Sequence, residues 1–111
     1  MTAALSLFLS LVAVHALCDF PLKGEFLSHA MRGGHAGFPW PLALSAHAMI
    51  HAGGVALVTG SWALGLAEFF SHWLTDCLKA RGAFGNWIDA ACHVGSKAVW
   101  ALVAVFMQPG F

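Results

Sequence analysis

Residues 41–80 read PLALSAHAMIHAGGVALVTGSWALGLAEFFSHWLTDCLKA and contain two apolar runs on either side of Thr59-Gly60-Ser61. Each run has close to the ~20 residues that an α-helix needs to cross a bilayer. Pro41 suits the first turn of a helix, and so short a connection indicates antiparallel neighbours. The stretch therefore predicts a helical hairpin in a membrane. Small residues at one helical spacing on the first of these helices allow close packing against another helix: Ala48, Ala52 and Ala56.

The composition of the whole chain agrees with a lipid environment. Its 111 residues are 59% hydrophobic and only 9% charged, whereas soluble domains have about 25% charged residues. The length suits one domain. Because the net charge is zero, we expect no nucleic-acid partner. The three cysteines are an odd number without a C-x-x-C pattern, so we expect small core residues rather than a disulfide framework.

Two further apolar runs bring the number of predicted spans to four. The first covers about 3–20 and stops before Pro21, because proline disfavours helix at the preceding residue. The last covers about 87–107, with Asn86 as its N-cap. With spans at about 41–58 and 62–80 between them, the prediction is an all-α integral membrane four-helix up-down bundle. No Lys or Arg precedes the first run, so we expect a retained span rather than a signal peptide.

The basic residues predict the orientation of this bundle. Lys23 and Arg32 lie in the first connection, and Lys79 and Arg81 lie at the third. The second connection and both tails contain no Lys or Arg. By the positive-inside rule, the first and third connections face the cytoplasm and both termini lie on the non-cytoplasmic side. We therefore expect a multi-pass protein of a bacterial inner membrane, with the lipid bilayer as its main partner.

The first connection, residues 21–40, is the one long loop. Within it, residues 25–31 are predicted to form a short amphipathic helical turn at the membrane interface, with Phe26, Leu27 and Met31 toward lipid. His29 and His35 have no partner at helical spacing, so we expect them in solvent.

Each predicted span carries one polar pair at a spacing of four residues. Residues four apart lie on one face of a helix, with Cβ atoms ~5–6 Å apart. Every aspartate in the chain has a histidine at this spacing, a match that chance gives each aspartate only about one time in eight. The pairs are His15 and Asp19, His47 and His51, His72 and Asp76, and Asp89 and His93.

In an up-down bundle the four pairs fall at one depth, because they end the first and third spans and begin the second and fourth. Ionisable groups in a bilayer cost several kcal/mol each unless they are paired or bind metal. We interpret the eight side chains as ligands for one or two divalent transition metal ions near the cytoplasmic face. Zinc is the first choice, with manganese and iron open. The alternatives are a polar core without an ion, or pairs in which one residue orients the ligand.

One turn further from the cytoplasmic face, Glu68 precedes His72 by four residues and Lys97 follows His93 by four. We expect Glu68 and Lys97 to face each other as a buried ion pair. The alternative makes Glu68 a general base or proton carrier, catalytic together with Asp76.

Four runs of the sequence stand in a fixed order along the chain: HALCDFPL (15–22), AHAMIH (46–51), EFFSHWLTD (68–76) and DAACH (89–93). Together they resemble a family of small bacterial and phage integral-membrane proteins, catalogued as a domain of unknown function. The resemblance covers nearly the whole chain and implies the architecture, with one His/Asp pair per helix, but no activity. The family often has Gln at the positions of Lys23 and Ala90. If those positions contact a ligand, the resemblance implies that this chain binds a different one.

The pattern is also similar in kind to that of predicted membrane-bound metal-dependent hydrolases. We expect such a hydrolase, acting at the cytoplasmic membrane face on a lipid or another membrane-associated ester or phosphoester. The alternative is a non-enzymatic phage or bacterial protein that acts on host membrane components by binding, for instance in exclusion of other phages, with a structural metal or polar core. Transport is less favoured, because the outer half offers no polar path beyond Glu68 and Lys97. A homo-oligomer, in which a second copy adds to the bundle, is compatible with the same sequence.

Overall fold

The computed structural model describes residues 2–20, 22–34 and 37–107, which form five α-helices and contain no strand. The all-α prediction is therefore confirmed. The four long helices agree with the predicted spans to within one residue at each end, and α5 begins at the residue expected to cap it. The helices are α1 (Thr2–Asp19), α2 (Gly24–Met31), α3 (Trp40–Thr59), α4 (Trp62–Ala80) and α5 (Asn86–Met107).

The tight turn predicted between α3 and α4 is confirmed, with a helix cap on each side. Gly60 adopts a left-handed conformation with φ of 72°, which glycine tolerates because it lacks a Cβ atom. Its N–H donates to the Ala56 carbonyl at 2.8 Å. The Ser61 hydroxyl then accepts from the Leu64 N–H at 3.3 Å and caps the start of α4.

The principal packing joins each long helix to two others. Helix α1 packs against α3 and α5, α4 packs against the same two helices, and α2 lies on α3. Two apolar clusters stabilise the two ends of this arrangement. One holds Leu7, Leu11, Val55, Leu64, Ala101 and Ala104; the other, beneath α2, holds Ala30, Met31, Ala43, Leu44 and Cys77.

Helices α3 and α4 approach each other closely at Gly65. A Cβ atom at this position would lie 2.8 Å from the Ala52 carbonyl oxygen and 3.1 Å from the Ala56 Cβ atom. Ala48, Ala52 and Ala56 are buried. The close packing predicted from these three alanines is thus confirmed, and Gly65 supplies the facing surface.

Two helices, α3 and α5, are long and apolar enough to cross a membrane on their own. A third candidate is a broken span in which Ala3–Asp19 and Gly24–Met31 are bent by 88°. Helix α4 is not among the candidates and carries Glu68, Asp76 and Lys79. The composition therefore supports a membrane crossing by α3 and α5. Crossing by α1 and by α4 stays a prediction. Large exposed apolar side chains occur on all the long helices, including Leu9, Leu57, Phe70 and Phe106.

The orientation of α2 differs from the prediction at Met31 and in part at Leu27, which is half-buried and packs against the apolar cluster beneath α2. Met31 is buried against Ala43, Leu44 and Cys77, so its predicted contact with lipid is wrong. The reason is that α2 lies on α3 and turns this end of its apolar face inward. Phe26 is exposed, as predicted.

Two smaller predictions concern histidine and cysteine side chains. His29 is exposed on α2, as expected, while His35 and the helix-stopping Pro21 lie outside the described residues. The thiols of Cys18 and Cys77 are buried as predicted, but that of Cys92 is exposed.

Candidate metal centre

All eight residues predicted from the helical spacing converge between the two apolar clusters. Five imidazoles and three carboxylates from α1, α3, α4 and α5 make up this group, which we call the polar cluster. Its rings are in close contact, with centroids 3.7 Å apart for the stacked pair His51 and His72 and 4.8 Å apart for His15 and His93. Four of its histidines are buried: His47, His51, His72 and His93.

Asp19 joins α1 to α3. Its Oδ1 atom lies 3.2 Å from His47 Nε2 and 3.0 Å from His51 Nε2. Its Oδ2 atom lies 3.2 Å from Nε2 of His15, one turn earlier on the same helix. Three imidazoles therefore point the same ring nitrogen at one carboxylate.

Asp76 does the same for α3, α4 and α5. Its Oδ1 atom lies 3.2 Å from His93 Nε2, and its Oδ2 atom lies 2.9 Å from His72 Nε2 and 3.5 Å from His47 Nε2. The two carboxylates Asp19 and Asp76 thus form the centre of the cluster, and His47 contacts both.

Asp89 lies at the edge of the cluster. Its Oδ1 atom is 3.1 Å from His93 Nε2, and its Oδ2 atom accepts a hydrogen bond from Lys79 at 3.2 Å. From the sequence, Lys79 served only to predict the orientation of the bundle in the membrane. Because no helical spacing links Lys79 to Asp89, the sequence offered no signal for this ion pair.

The ion pair predicted between Glu68 and Lys97 is confirmed. Lys97 Nζ donates to both carboxylate oxygens of Glu68, at 2.9 and 3.0 Å, and both side chains are buried. Trp100 Nε1 also donates to Glu68 Oε1, at 2.8 Å. Trp100 was not predicted, although it follows Lys97 by three residues and so lies on the same helix face.

Glu68 also determines which nitrogen of His72 carries hydrogen. His72 Nδ1 lies 3.0 Å from Glu68 Oε2. Because Glu68 is an ionised acceptor beside Lys97, we infer that His72 Nδ1 donates. In the neutral ring, the lone pair is then on Nε2, the atom that lies 2.9 Å from Asp76 Oδ2.

This contact between His72 Nε2 and Asp76 Oδ2 lacks the alignment of a hydrogen bond. Both atoms are buried, and neither has a hydrogen-bond partner in the described part of the chain. Two buried electron-rich atoms at this separation repel each other unless a cation neutralises them. Either a second proton on His72 or a bound metal ion meets that need.

The charges of the site show the same need for a cation. Asp89 is paired with Lys79, and Glu68 with Lys97. Within residues 2–20, 22–34 and 37–107, no Lys or Arg nitrogen forms an ion pair with Asp19 or Asp76. With neutral imidazoles these two carboxylates carry one negative charge each, a total of −2, which one divalent ion balances.

Three sets of side chains place their ligand atoms within 4.8 Å of one another, and His72 belongs to all three. One set includes Glu68, whose two oxygens are already engaged by Lys97, Trp100 and His72. The other two sets are Asp19, His47, His51 and His72, and His72, Asp76 and His93. Imidazole nitrogen and carboxylate oxygen are the donors that zinc and related divalent ions bind in proteins.

The cluster opens onto a cavity of about 250 Å³. Its lining includes three acidic residues, Asp19, Asp76 and Asp89, and three basic ones, Lys23, Arg32 and Lys79. The side chains of Asp19 and Asp76 are 25% and 12% exposed, so water and small molecules can reach the centre from this side.

Comparisons with known proteins found no family model, no curated protein and no solved structure that matches this chain. The family resemblance of the four motifs therefore stays a prediction, and the site is interpreted from its own geometry.

Proposed function

We propose that this chain is a metal-binding integral membrane protein whose polar cluster holds one divalent transition metal ion. The observation that carries the proposal is the buried contact of 2.9 Å between His72 Nε2 and Asp76 Oδ2, two atoms without a hydrogen-bond partner in the described residues, which are both acceptors when His72 is neutral. A metal ion accepts both lone pairs and balances the two unpaired carboxylates. Zinc is the first choice.

Two residues are the primary ligands in this proposal, His72 and Asp76. The remaining positions of a four-coordinate site are filled by Asp19 or by histidines that contact Asp19 or Asp76. Glu68 is then a positioning residue, because it accepts from His72 Nδ1 in the manner of the carboxylate–histidine–metal arrangement. The further candidate ligands are His15, Asp19, His47, His51 and His93.

Asp89 is assigned a different role in this proposal. It belongs to none of the three sets with ligand atoms within 4.8 Å of one another, and Lys79 neutralises it. We propose that Asp89 orients His93 at the edge of the site, because its Oδ1 atom lies 3.1 Å from His93 Nε2.

The membrane arrangement proposed is a four-helix up-down bundle of a bacterial inner membrane, with both termini on the non-cytoplasmic side. Supporting it, α4 buries Glu68 and His72 against the other helices and exposes Leu66, Phe70 and Leu74. A helix with this division of faces can cross lipid despite its charges, because they are paired inside the protein. The polar cluster then lies near the cytoplasmic face, on the side of Lys79 and Arg81.

The activity that we propose is metal-dependent hydrolysis of a membrane-associated ester or phosphoester. A bound divalent ion supplies Lewis acidity and activates water. The cavity beside Asp19 and Asp76 gives substrate a route to the site. Glu68 is less suited than Asp76 to act as a base, because each of its oxygens already accepts hydrogen bonds from buried donors.

A structural polar core in a non-enzymatic membrane protein is the second candidate. The direct contacts of Asp19 with three histidines favour it, because they give several of the polar atoms partners without an ion.

Turnover by purified variants separates the two candidates. Esters and phosphoesters of membrane lipids are offered to the wild type, Asp76→Ala, His51→Ala and the edge variant Asp89→Asn, each supplied with zinc or manganese. If the protein is an enzyme, Asp76→Ala and His51→Ala should each lower turnover at least about a hundredfold while the protein is still inserted in the membrane. Asp89→Asn should lower turnover far less. Equal turnover by the wild type and Asp76→Ala contradicts the hydrolase proposal. Absence of turnover, with lower thermal stability of the two alanine variants, favours the structural candidate.

A further inference from the structure

The mouth of the metal centre combines acidic and basic side chains. The cavity of about 250 Å³ is lined by Asp19 and Asp76 of the polar cluster and also by Lys23 and Arg32. Lys23 immediately precedes α2 and Arg32 immediately follows it. The short helix therefore holds one cation at each of its ends beside this cavity.

Among the residues that the structure describes, these two cations have no carboxylate partner. Lys79, the third basic residue of the lining, is occupied by Asp89, but neither Lys23 nor Arg32 forms an ion pair within the described ranges. The hydroxyl-bearing Ser28 of α2 also lines this cavity. Unpaired Arg and Lys side chains beside a cavity suit a phosphate group, which accepts several charge-assisted hydrogen bonds.

A second cavity, of about 180 Å³, adjoins the first. The two share Met31, Arg32, Leu44 and Ala80, so they are neighbours at the C-terminal end of α2. The lining of the second is mostly apolar, and it adds Trp40 and Cys77 together with Arg81. It can take a hydrocarbon segment of a molecule whose charged group lies in the first cavity.

We propose that the two cavities together bind a membrane amphiphile through its phosphate group. Lys23 and Arg32 contact the phosphate beside the metal centre, and the start of the hydrocarbon chain lies between Trp40 and Leu44. The inference rests on the proposed function and narrows its substrate class to phosphate-bearing lipids.

Binding of three probes by purified protein tests this inference. The probes are short-chain phosphatidic acid, the diacylglycerol with the same chains, and inorganic phosphate, measured by calorimetry in one detergent. Phosphatidic acid should bind at least about tenfold more tightly than either other probe, because only it fills both cavities. Equal affinity for the diacylglycerol would overturn the phosphate contact. Equal affinity for inorganic phosphate would overturn the proposal that the hydrocarbon chain contributes to binding.

Single substitutions then locate the phosphate. Arg32→Gln and Lys23→Gln should each weaken phosphatidic acid binding about tenfold. Arg81→Gln makes the same charge change in the lining of the second cavity, where the proposal places the hydrocarbon chain and not the phosphate, and Arg81 lies over the Trp40 ring at 5.2 Å. Because Arg81 takes no part in the phosphate contact, this loss should be about threefold, against about tenfold for Arg32→Gln. Equal losses in Arg32→Gln and Arg81→Gln would indicate general attraction and overturn the assignment.

Metal content measured on the same samples separates this inference from the proposed function. Loss of lipid binding in Arg32→Gln with an unchanged metal content supports the inference. Wild-type protein that holds metal but does not bind phosphatidic acid overturns it and leaves the metal centre standing. Wild-type protein without metal overturns the proposed function, and the inference with it.

Discussion

Glu68 is the residue on which the chemistry of the polar cluster depends. It is buried, it accepts from Lys97, Trp100 and His72, and it thereby directs the Nε2 lone pair of His72 toward Asp76. A charged pair inside a membrane protein is costly to break, because the remaining charge has no partner and no water. We therefore expect Glu68 to have two effects, one on stability and one on His72, the proposed metal ligand.

Substitution of Glu68 separates these effects. Glu68→Gln should lower the free energy of unfolding by about 3–5 kcal/mol, because Lys97 keeps its charge without a partner. The double variant Glu68→Gln/Lys97→Met should recover most of this loss, since no buried charge is then left unpaired. Thermal unfolding in detergent measures both. A double variant as unstable as the single one would show that the ion pair is not the source of the effect.

The metal affinity of the double variant reports on the second effect. Glutamine is a weaker acceptor for His72 Nδ1 than glutamate, so the affinity for zinc should fall about 10- to 100-fold in Glu68→Gln/Lys97→Met. Competition with a chromogenic chelator measures it. An affinity equal to that of the wild type would contradict the positioning role of Glu68.

The contacts of Asp19 and Asp89 with histidine were predictable where both residues lie on one helix, and the ion pair of Glu68 with Lys97 was predictable between two helices because both residues continue the polar stripes at one depth. The spacing of four residues predicted the pairing of His15 with Asp19 and of His93 with Asp89, and both contacts are present. The ion pair of Lys79 with Asp89 was not predictable in this way, because Lys79 does not continue the polar stripe of α4 at four-residue spacing. Other contacts between helices depend on rotation about the helix axes, which the spacing along one chain segment does not determine.

At the scale of helices, Gly65 determines how closely α3 and α4 can pack. The atom nearest to an added Cβ is the Ala52 carbonyl oxygen, at 2.8 Å. A backbone oxygen cannot move away by a change of rotamer, so any larger residue must separate the two helices. Since α3 carries His47 and His51 and α4 carries His72 and Asp76, that separation would also disturb the polar cluster.

The matched pair Gly65→Ala and Gly53→Ala tests this packing. Gly65→Ala should lower the free energy of unfolding by about 1–3 kcal/mol, as overpacking does. A Cβ atom at Gly53 would meet no atom within 4 Å, so Gly53→Ala should be neutral or slightly stabilising. Thermal unfolding of the two variants in one detergent measures the difference. Equal stability of the two variants would contradict the close approach.

The ends of the helices could be predicted from the sequence, but the buried face of a helix could be predicted less well. Gly60 and Ser61 mark the end of one helix and the start of the next by their own backbone and capping chemistry, which is local. Met31 lies on a face of α2 whose direction depends on α3, so its burial needed the packed structure. The charged stripe of α4 was placed correctly because its polar residues recur at four-residue spacing.

At the scale of the whole molecule, the membrane arrangement depends on α4. The helix carries three charged residues in 19, yet it connects α3 and α5, the two helices with the composition of membrane spans. If α3 and α5 both cross the membrane in the proposed directions, α4 must cross as well. The burial of Glu68, which Lys97 neutralises, makes that crossing physically reasonable.

Two alanines at opposite ends of α4 test this crossing. Ala63 and Ala83 are both exposed, and they lie near the start of α4 and just after its end. In a chain whose native cysteines are replaced, an impermeant maleimide added to intact spheroplasts should label Ala63→Cys and not Ala83→Cys. Both should react after lysis. Labelling of both in intact cells, or of Ala83→Cys alone, would contradict the proposed topology.

The central claim is that the polar cluster binds a metal ion, and the metal content of the purified protein tests it most directly. Elemental mass spectrometry is applied to detergent-purified wild type, Asp76→Asn and Asp89→Asn, none of them exposed to a chelator. Both substitutions keep the size of the side chain and remove one charge, but only Asp76 is a proposed ligand. We predict about one equivalent of a divalent transition metal in the wild type and in Asp89→Asn, and less than about a tenth of that in Asp76→Asn. Folded wild-type protein without metal, or equal metal content in all three proteins, would contradict the claim.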